Sequence, residues 1–401
     1  MRKLQRCGAP PPRRHLRRRT RASSIPEQGD YVLRCSTEPR RKAWPIQIIA
    51  ITGSTALLGR ELEPVADATL LVQGGQIIAA GPGSEIKVPE AAEVIHASGT
   101  AVTPGFIDAH VHIGFFEPRS VVTGGATTVR DLAWPPELIF PMVEASRADD
   151  YPGPTILAAG PMITAPGGYP TNAAWAPPRT GREVTSPGDG RTAVAEAADQ
   201  GATIIKIALN PPAGPVLDAG TLAVIVDAAH ERGLKVTGHI SGLDELRKAL
   251  AAGVDELAHM LMSAERIPDA LIEEMVTAGM AVVSTLSIRF ARDRKLAIDN
   301  VRRFREAGGR VLYGTDLGNE GPQPGIDKRE VRALERAGLD AIDIIRAATV
   351  EAAEWLGLER VGVLAENMDA DVVAFTSGDA LSDARALTEV SMVMRRGRRV
   401  R

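Results

Sequence analysis

Short apolar runs alternate with helical patterns through the middle of the chain, from about residue 105 to residue 358. In residues 221–232 the apolar positions have the spacing of one helix face, and Gly233 follows as a helix stop. Eight strand–helix repeats over ~250 residues predict an α/β fold, a (β/α)8 TIM barrel over residues 105–358. A doubly wound open sheet is the alternative, because periodicity does not show closure. Eight runs are typical of buried strands: GFIDAHVH, ATTVRDL, TILAAG, ATIIKIA, LKVTGHI, DELAHM, MAVVSTL and RVLYGTD.

The segments on either side of this middle region have the shorter period of β-strands. Residues 46–104 contain IQIIAITGSTALLG and ATLLVQGGQIIAAG, and residues 359–401 contain ADVVAF and VSMVMRRGRRV. We expect small antiparallel units that pair with each other into one composite β-sandwich domain. Between Gly160 and Asp189, a segment rich in Pro, Gly and Thr predicts a long loop after the third strand of the middle region.

The composition is that of a soluble globular protein, with 44% hydrophobic and 24% charged residues. We expect no transmembrane helix, since no apolar run reaches ~18 residues. The sequence has no Gly-rich phosphate-binding loop. Both cysteines, Cys7 and Cys35, precede the folded part, which excludes thiolate zinc sites, cysteine nucleophiles and disulfides there. This cysteine usage fits a reducing, cytoplasmic location.

Residues 1–45 form a basic extension that carries 13 Lys and Arg against 3 Asp and Glu. The extension lacks apolar periodicity, which predicts that it is disordered. Its twin arginines are not followed by the apolar stretch of a secretory signal. We expect a solvated extension here rather than an arm that binds nucleic acid.

Six residues of metal-binding or acid–base type stand at the C-terminal ends of the predicted strands. The pair in VTPGFIDAHVH has i, i+2 spacing, which places two imidazoles side by side on one strand face. Each residue alone has a structural explanation, such as a hydrogen-bonded histidine or a capping aspartate. Together they predict a metal site, because barrel active sites are built at this rim. The six are His110, His112, Lys206, His239, His259 and Asp316.

Lys206 is the unusual member of this set. It lies in a strand expected to be buried on both faces, where an unpaired ammonium is costly. An ammonium has no lone pair for a metal. Lys206 therefore needs a carboxylate partner, a lowered pKa or a chemical change. The other three histidines, His15, His96 and His230, are predicted not to be ligands.

At these residues the chain resembles the amidohydrolase superfamily, over roughly residues 47–401. PGFIDAHVH is similar to the opening HxH motif, and the order HxH, Lys, His, His, Asp is similar to the binuclear subtype. GATTVRDL, VDAAHERGLKVTGHI, GTD and IIRAATVEAAEWLGL resemble the imidazolonepropionase-related group, which contains prolidase-like Xaa-Pro dipeptidases and ochratoxinase-like amidases. The segments between strand one and TTVRD and between strands seven and eight are short, and ALNPPAG follows Lys206. The substrate is therefore not carried over.

The resemblance implies two divalent metal ions per chain, with zinc expected. Lys206 would be carbamylated by CO2 and bridge both ions. One ion would be held by His110, His112 and Asp316, and the other by His239 and His259. The implied activity is hydrolysis of a C–N bond in a small molecule, such as an N-acyl amino acid or dipeptide, by a metal-bridging hydroxide, with Asp316 moving the proton.

Three alternatives stay open. A lactone, ester, organophosphate or cyclic-amide hydrolase would use the same metal centre. A mononuclear deaminase would not need Lys206. A metal-free structural relative would have lost ligands, whereas this chain keeps all six.

An N-acyl amino acid needs a cation for its carboxylate. Arg289 follows the seventh strand and is the first candidate, with Arg179 and Arg182 of the long loop as second choices. We expect a small-molecule substrate and no membrane partner, and a homo-oligomer is compatible with the sequence.

Overall fold

The computed structural model describes residues 47–289 and 291–401. The predicted basic extension, with both cysteines and His15, lies outside the described residues. The strands are β1 (Ile49–Leu58), β2 (Glu63–Gln73), β3 (Gln76–Pro82), β4 (Glu93–His96), β5 (Ala101–Pro104), β6 (Phe106–Val111), β7 (Ala126–Asp131), β8 (Thr155–Ala158), β9 (Met162–Thr164), β10 (Gly181–Glu183), β11 (Ile205–Leu209), β12 (Val236–Ile240), β13 (Glu256–Leu257), β14 (Ala281–Val283), β15 (Arg310–Leu312), β16 (Val372–Phe375), β17 (Val390–Arg395) and β18 (Arg398–Arg399).

Helices fall between most of the middle strands, as the periodicity predicts. Each of the eight predicted strand runs contains one strand, namely β6, β7, β8 and β11 to β15. Short 3-10 turns occupy Ile113–Phe115, Pro211–Ala213, Leu286–Ile288, Gly378–Leu381 and Ala384–Thr388. The helices are α1 (Pro118–Thr123), α2 (Pro136–Ser146), α3 (Pro187–Asp199), α4 (Ala219–His230), α5 (Leu243–Ala251), α6 (Asp269–Thr277), α7 (Ala291–Glu306), α8 (Lys328–Arg336), α9 (Ala341–Ala348) and α10 (Val350–Leu356).

The middle strands are all parallel and belong to two sheets. One sheet has the order β6-β7-β8, and the other has the order β10-β9-β11-β12-β13-β14-β15. Backbone hydrogen bonds join the two sheets on both sides. Thr203 N donates to Ala158 O at 2.9 Å, and Ala109 N donates to Tyr313 O at 3.0 Å. The predicted α/β class with parallel strands is confirmed.

Local sequence explains where the helices begin and end. In α4 the Asp218 side chain caps the first turn by accepting a hydrogen bond from Thr221 N at 2.9 Å. The predicted apolar face of α4 is buried against the sheet. Past its end, Gly233 has a φ of +70°, the left-handed conformation that stops a helix at little cost. The predicted stop is therefore confirmed.

The prediction of one long loop from Gly160 to Asp189 is partly wrong. β9 and β10 lie within it, and α3 begins at Pro187. β9 pairs with β11 through Ile163 and Ile207, so it belongs to the seven-stranded sheet and not to the sheet of β8. Strands of three residues in a segment rich in Pro and Gly are too short to produce a periodic signal. Residues 165–180 remain without a helix or strand.

The two terminal segments share one eight-stranded sheet with the order β18-β17-β16-β5-β1-β2-β3, in which β4 also pairs with β1. β16 pairs with β5, so strands of the C-terminal and N-terminal segments lie in the same sheet. The expectation of a purely antiparallel unit is wrong, because β1 is parallel to β4 and β5. The connection through residues 83–92 brings the chain back before β4 starts, which permits this direction.

None of the helices in the described ranges is long and apolar enough to span a membrane.

Candidate metal centre

The strand order brings the six predicted residues together, but Lys206 is the second of the five residues of β11 and not at the C-terminal end where the sequence placed it. His110 lies in β6, Lys206 in β11 and His239 in β12, and the other three follow β6, β13 and β15. Each is at most 7% exposed. Asp316 has a φ of +52°, and its backbone N–H donates to His110 O at 2.7 Å. A strained aspartate held between buried histidines is typical of a functional site.

The hydrogen bonds of His110 and His112 define their tautomers. His110 Nδ1 lies 2.8 Å from Ala258 O, and His112 Nδ1 lies 3.2 Å from Ala133 O. A carbonyl oxygen only accepts, so each Nδ1 carries the proton. The Nε2 atoms lie 3.3 Å and 3.2 Å from Asp316 Oδ1. Both rings therefore direct Nε2 at one carboxylate oxygen, an arrangement in which carbonyl partners orient metal-binding imidazoles.

His110 and Asp316 face each other without a proton between them. Burial lowers the pKa of His110 well below its usual value, so its Nε2 is a lone pair. Although burial opposes it, the neighbouring nitrogen groups of His110, His112 and Lys206 keep the pKa of Asp316 low, so its oxygens are also acceptors. Neither His110 Nε2 nor Asp316 Oδ1 has a hydrogen-bond partner among the described residues. Such a cluster of buried acceptors fits a divalent cation, and the ligand atoms of His110, His112 and Asp316 lie within 4.8 Å of one another.

His239 and His259 form the second half of the cluster. His239 Nδ1 lies 2.9 Å from His259 Nε2, and the two rings are 4.8 Å apart. Asn210 Nδ2 lies 3.1 Å from His239 Nε2. His259 Nδ1 lies 3.4 Å from Asp316 Oδ2, which connects this pair to the first group. Burial lowers the pKa of His239 to about 3, so this ring is also neutral and able to bind a metal.

Lys206 is fully buried among these groups. Its Nζ has no hydrogen-bond partner in the described part of the chain. Its charge shifts the pKa of all four histidines and of Asp316, which places it within their electrostatic reach. Burial lowers the pKa of Lys206 itself to about 7. A neutral amine is therefore available in a cluster that is otherwise composed of metal-binding groups.

The three candidate arginines differ in their surroundings. Arg289 is 5% exposed, and its Nε and Nη2 have no hydrogen-bond partner among the described residues. Its charge contributes to the lowered pKa of His239 and His259, so it lies near that half of the cluster. Arg182 instead bonds Asp189 at 2.8 Å and Glu196 at 2.9 Å, and the exposed Arg179 pairs with Glu137 at 3.0 Å. Arg179 and Arg182 are therefore engaged by acidic side chains. Arg289 remains as the candidate cation for a substrate carboxylate.

The turn that carries Arg289 is held by a buried carboxylate that the sequence did not reveal. Glu330 of α8 accepts a hydrogen bond from Ser287 N at 2.6 Å. Ser287 Oγ donates to Thr315 O at 3.2 Å, next to Asp316. Glu330 therefore fixes the 3-10 turn Leu286–Ile288 that ends at Arg289.

Two aromatic residues of the segment 165–180 cover the histidines. The Tyr169 ring stacks on His239 with centroids 4.6 Å apart, and the Trp175 ring lies 5.0 Å from His112. Trp175 Nε1 donates to the Tyr169 hydroxyl at 3.1 Å. The sequence offered no periodic signal for these residues.

Of the two described histidines predicted not to be ligands, His230 pairs with Asp255 and His96 lies beside Thr52.

A buried ion pair lies among the parallel strands. Arg130 Nη2 of β7 bonds Glu256 Oε1 of β13 at 2.7 Å, and both side chains are fully buried. Arg130 Nε also donates to Ala109 O, and Trp355 Nε1 donates to Glu256 Oε2 at 2.6 Å. Both charges contribute to the pKa of Lys206. The pair therefore connects β6, β7 and β13 with α10 near Lys206.

Removing one partner of this pair is expected to destabilise the fold strongly. Glu256→Gln leaves the Arg130 guanidinium buried without a counter-charge, at a cost of about 3–5 kcal/mol in the free energy of unfolding. The matched control is Glu231→Gln, which breaks an exposed pair with Arg191 and should change the free energy of unfolding little. Denaturant unfolding of both variants measures the difference, and equal losses would contradict this role.

A model of the amidohydrolase family matches residues 101–400, and the chain belongs to this family. An uncharacterised protein of Mycobacterium tuberculosis is 28% identical over 338 residues, which are 75% of this chain and 85% of that protein. An imidazolonepropionase of Deinococcus deserti is 28% identical over 363 residues, 80% of this chain and 88% of the enzyme. An adenine deaminase of Salinibacter ruber is 29% identical over 348 residues, 83% of this chain but 57% of the enzyme.

Solved structures have the same fold. A candidate prolidase from Bifidobacterium longum aligns with a TM-score of 0.75 and 25% identity, over 88% of this chain and 94% of that one. A Xaa-Pro dipeptidase with bound methionine aligns with a TM-score of 0.75 and 22% identity, over 88% of this chain and 99% of that one. The ochratoxinase of A. niger aligns with a TM-score of 0.73 and 18% identity, over 88% of this chain and 96% of that one. The resemblance to this group is confirmed, and the last two structures support the fold alone.

Proposed function

We propose that the protein is a metal-dependent hydrolase that cleaves the C–N bond of an amide or peptide-type small molecule, such as an N-acyl amino acid or dipeptide. The observation that carries this proposal is the buried cluster in which His110 Nε2, Asp316 Oδ1 and Lys206 Nζ all lack hydrogen-bond partners among the described residues. Imidazolonepropionase and adenine deaminase, to which the chain is similar, act on C–N bonds.

The donor set fits two divalent ions, for which zinc is the proposed metal. His110, His112 and Asp316 would hold one ion, and His239 and His259 the other. Lys206 would serve both ions as a carbamate, because its neutral amine can add CO2 and release one proton, which gives an anionic carboxylate in place of an ammonium that cannot bind metal. When bound, such ions act as Lewis acids toward a carbonyl oxygen and lower the pKa of water.

Asp316 is the proposed catalytic residue. Its low pKa keeps it ionised at neutral pH, and its Oδ1 is directed at the Nε2 atoms of His110 and His112. An ionised carboxylate at this position can take a proton from the attacking water and deliver it to the leaving nitrogen. The leaving group then departs as a neutral amine.

The proposed site needs the strands to converge on one rim, so we propose that the two parallel sheets form one closed barrel. The bonds Thr203 N to Ala158 O and Ala109 N to Tyr313 O support closure on both sides. We also propose that the terminal sheet folds into two layers at the β1 bulges near Ser54. The approach of its two ends supports this, since Ala370 N donates to Gly75 O at 2.9 Å.

Arg289 is the proposed anchor for a substrate carboxylate. A buried guanidinium with two unpartnered nitrogens is costly, and a bidentate carboxylate would satisfy it. Burial lowers the pKa of Arg289 only to about 10, so it stays charged at neutral pH. Its place near His239 and His259 would put the carboxylate on that side of the cluster.

Arg289→Met is expected to raise KM for an N-acyl amino acid by roughly 10- to 100-fold, because a charge-assisted hydrogen bond contributes about 1.5–3 kcal/mol. The KM for the corresponding neutral amide should change little. Arg179→Met, which removes an exposed guanidinium paired with Glu137, is the matched control. Steady-state kinetics with both substrates decides the role of Arg289. An equal change for acid and amide would remove it as the anchor.

The test of the function is metal content together with an activity panel. Elemental analysis of full-length protein produced with zinc is expected to find two divalent ions per chain. The panel contains N-acyl amino acids, dipeptides, cyclic amides, lactones, esters and organophosphates. Turnover of amides supports the proposal, whereas turnover of lactones or esters alone, or the absence of bound metal, would overturn it.

A further inference from the structure

Aromatic residues are scarce in this chain but concentrated beside the metal centre. The whole sequence has 7 Phe, 4 Trp and 4 Tyr among 401 residues. Four of these rings, those of Phe115, Trp134, Tyr169 and Trp175, form one contact network. The ring centroid of Phe115 lies 4.7 Å from that of Trp134 and 6.5 Å from that of Trp175. The ring centroids of Tyr169 and Trp175 are 6.1 Å apart. We call this network the aromatic wall.

The aromatic wall reaches both halves of the histidine cluster. Trp175 lies against His112, and Tyr169 stacks on His239. A molecule that contacts the histidines therefore meets these rings as well. Arg289 lies near His239 and His259. Trp175 and Phe115 therefore lie on the His112 side of the site, whereas the Arg289 guanidinium lies on the side of His239 and His259.

The wall presents apolar surface that packing inside the protein does not use. Phe115 is 44% exposed and is one of four exposed large hydrophobic residues in the described ranges. Trp175 and Tyr169 are half-buried. Exposed apolar surface at the edge of a polar site typically marks a ligand-binding surface.

The backbone beneath the wall is shaped to hold Phe115 in place. A Cβ on Gly114 would lie 2.2 Å from the Trp134 ring, so this ring packs directly on the backbone before Phe115. A Cβ on Gly318 would lie 2.8 Å from His112 Cβ and 3.1 Å from the Phe115 ring. Gly318 also has a φ of +132°, which favours glycine. Phe115 is therefore fixed on both sides while its outer surface stays open.

We propose that Phe115 and Trp175 bind a planar aromatic or heteroaromatic group of the substrate, next to the bond that is cleaved. This proposal rests on the proposed function, because it places the reacting bond at the histidine cluster. Aromatic rings pack on each other with a preference beyond the area they bury, through offset-stacked or edge-to-face contacts. A saturated ring of the same size lacks this contribution. Phe115 and Trp175 thus determine specificity without taking part in the chemical step.

The experiment compares flat and saturated ligands of equal carbon number. Binding of benzamide and of cyclohexanecarboxamide to the metal-loaded full-length protein is measured by calorimetry. Hydrolysis of N-benzoylglycine and N-cyclohexanecarbonylglycine is measured as kcat/KM. The wild type is expected to favour the aromatic member of each pair by about 2- to 10-fold. Trp175→Leu and Phe115→Leu should reduce this ratio to about one with no loss of bound metal.

The control is Ile78→Ala, which changes an exposed apolar residue of β3, in the terminal sheet, and should keep the wild-type ratio. Equal binding of the two amides by the wild type, or no detectable binding of benzamide, would overturn the aromatic wall as a binding site. So would a wild-type ratio in both leucine variants. Hydrolysis of amides without ring preference would leave the proposed function standing and remove this inference. Ring-selective binding without hydrolysis of any amide would overturn the proposed function, and with it the placement of the ring next to a cleaved bond, while the ring-binding surface itself would remain.

Discussion

Lys206→Ala is expected to lose one of two bound metal ions and to lower kcat by roughly 10³ or more. The lost charge stabilisation of several kcal/mol corresponds to such a factor. A carbamate on Lys206 would be the group shared by both ions, in addition to the Asp316 carboxylate that already belongs to the cluster. The measurement is metal content by elemental analysis together with kcat at saturating substrate.

The effect on stability separates this role from a structural one. An unpaired ammonium in the core destabilises the fold, so its removal from metal-free protein should not lower the free energy of unfolding. Short carboxylic acids such as acetate should restore part of the activity, because they can occupy the position of the carbamate. Lys248→Ala, which removes an exposed lysine paired with Glu245, is the control. A Lys206→Ala enzyme with two ions and normal turnover would contradict the proposal.

The positions of the ligand-type residues could be predicted because they depend on strand ends. Parallel strands place their C-terminal ends on one rim, so His110 and His239 come together once the strands are recognised, whereas Lys206 joins them from the second position of β11. Asp316 needed no further information, since it closely follows the last strand. Residue types and their order along the chain were enough for this part of the site.

Contacts between side chains from distant segments could not be predicted in this way. Arg130 and Glu256 are 126 positions apart, and neither carries a signal that it is buried with the other. Arg182 was a second choice after Arg289 in the sequence, and nothing there indicated that acidic side chains on α3 engage it. Tyr169 and Trp175 lie in a segment without periodicity, so only the folded chain shows that they cover the histidines.

The mixed direction of the terminal sheet has a similar explanation. Alternating apolar and polar residues indicate a strand but not its direction relative to its neighbours. The turn Gly74-Gly75 joins β2 and β3 into an antiparallel hairpin, the pairing that two-residue glycine turns favour. β4 and β5 follow longer connections, and their parallel pairing with β1 depends on packing that the local pattern does not contain.

Asp316→Asn is expected to keep much of the bound metal but to lower kcat by ~10²–10⁴. The amide retains an oxygen at the position of the carboxylate, whereas it cannot accept and release a proton near neutral pH. Asparagine also tolerates the left-handed backbone better than most residues, which matters because Asp316 has a φ of +52°. The substitution therefore changes proton transfer with little added strain, which Asp316→Ala would not achieve.

Asp371→Asn is the matched control for this prediction. Asp371 is 2% exposed and accepts a hydrogen bond from Arg396 N, as a buried carboxylate of the terminal segment rather than of the metal centre. Its substitution should leave kcat unchanged, even where it lowers stability. The measurements are kcat, KM and metal content of both variants. Near-normal turnover in Asp316→Asn would remove Asp316 as the proton carrier, and full loss of metal would assign it to metal binding alone. A large fall in kcat with metal retained places the proton transfer on this carboxylate.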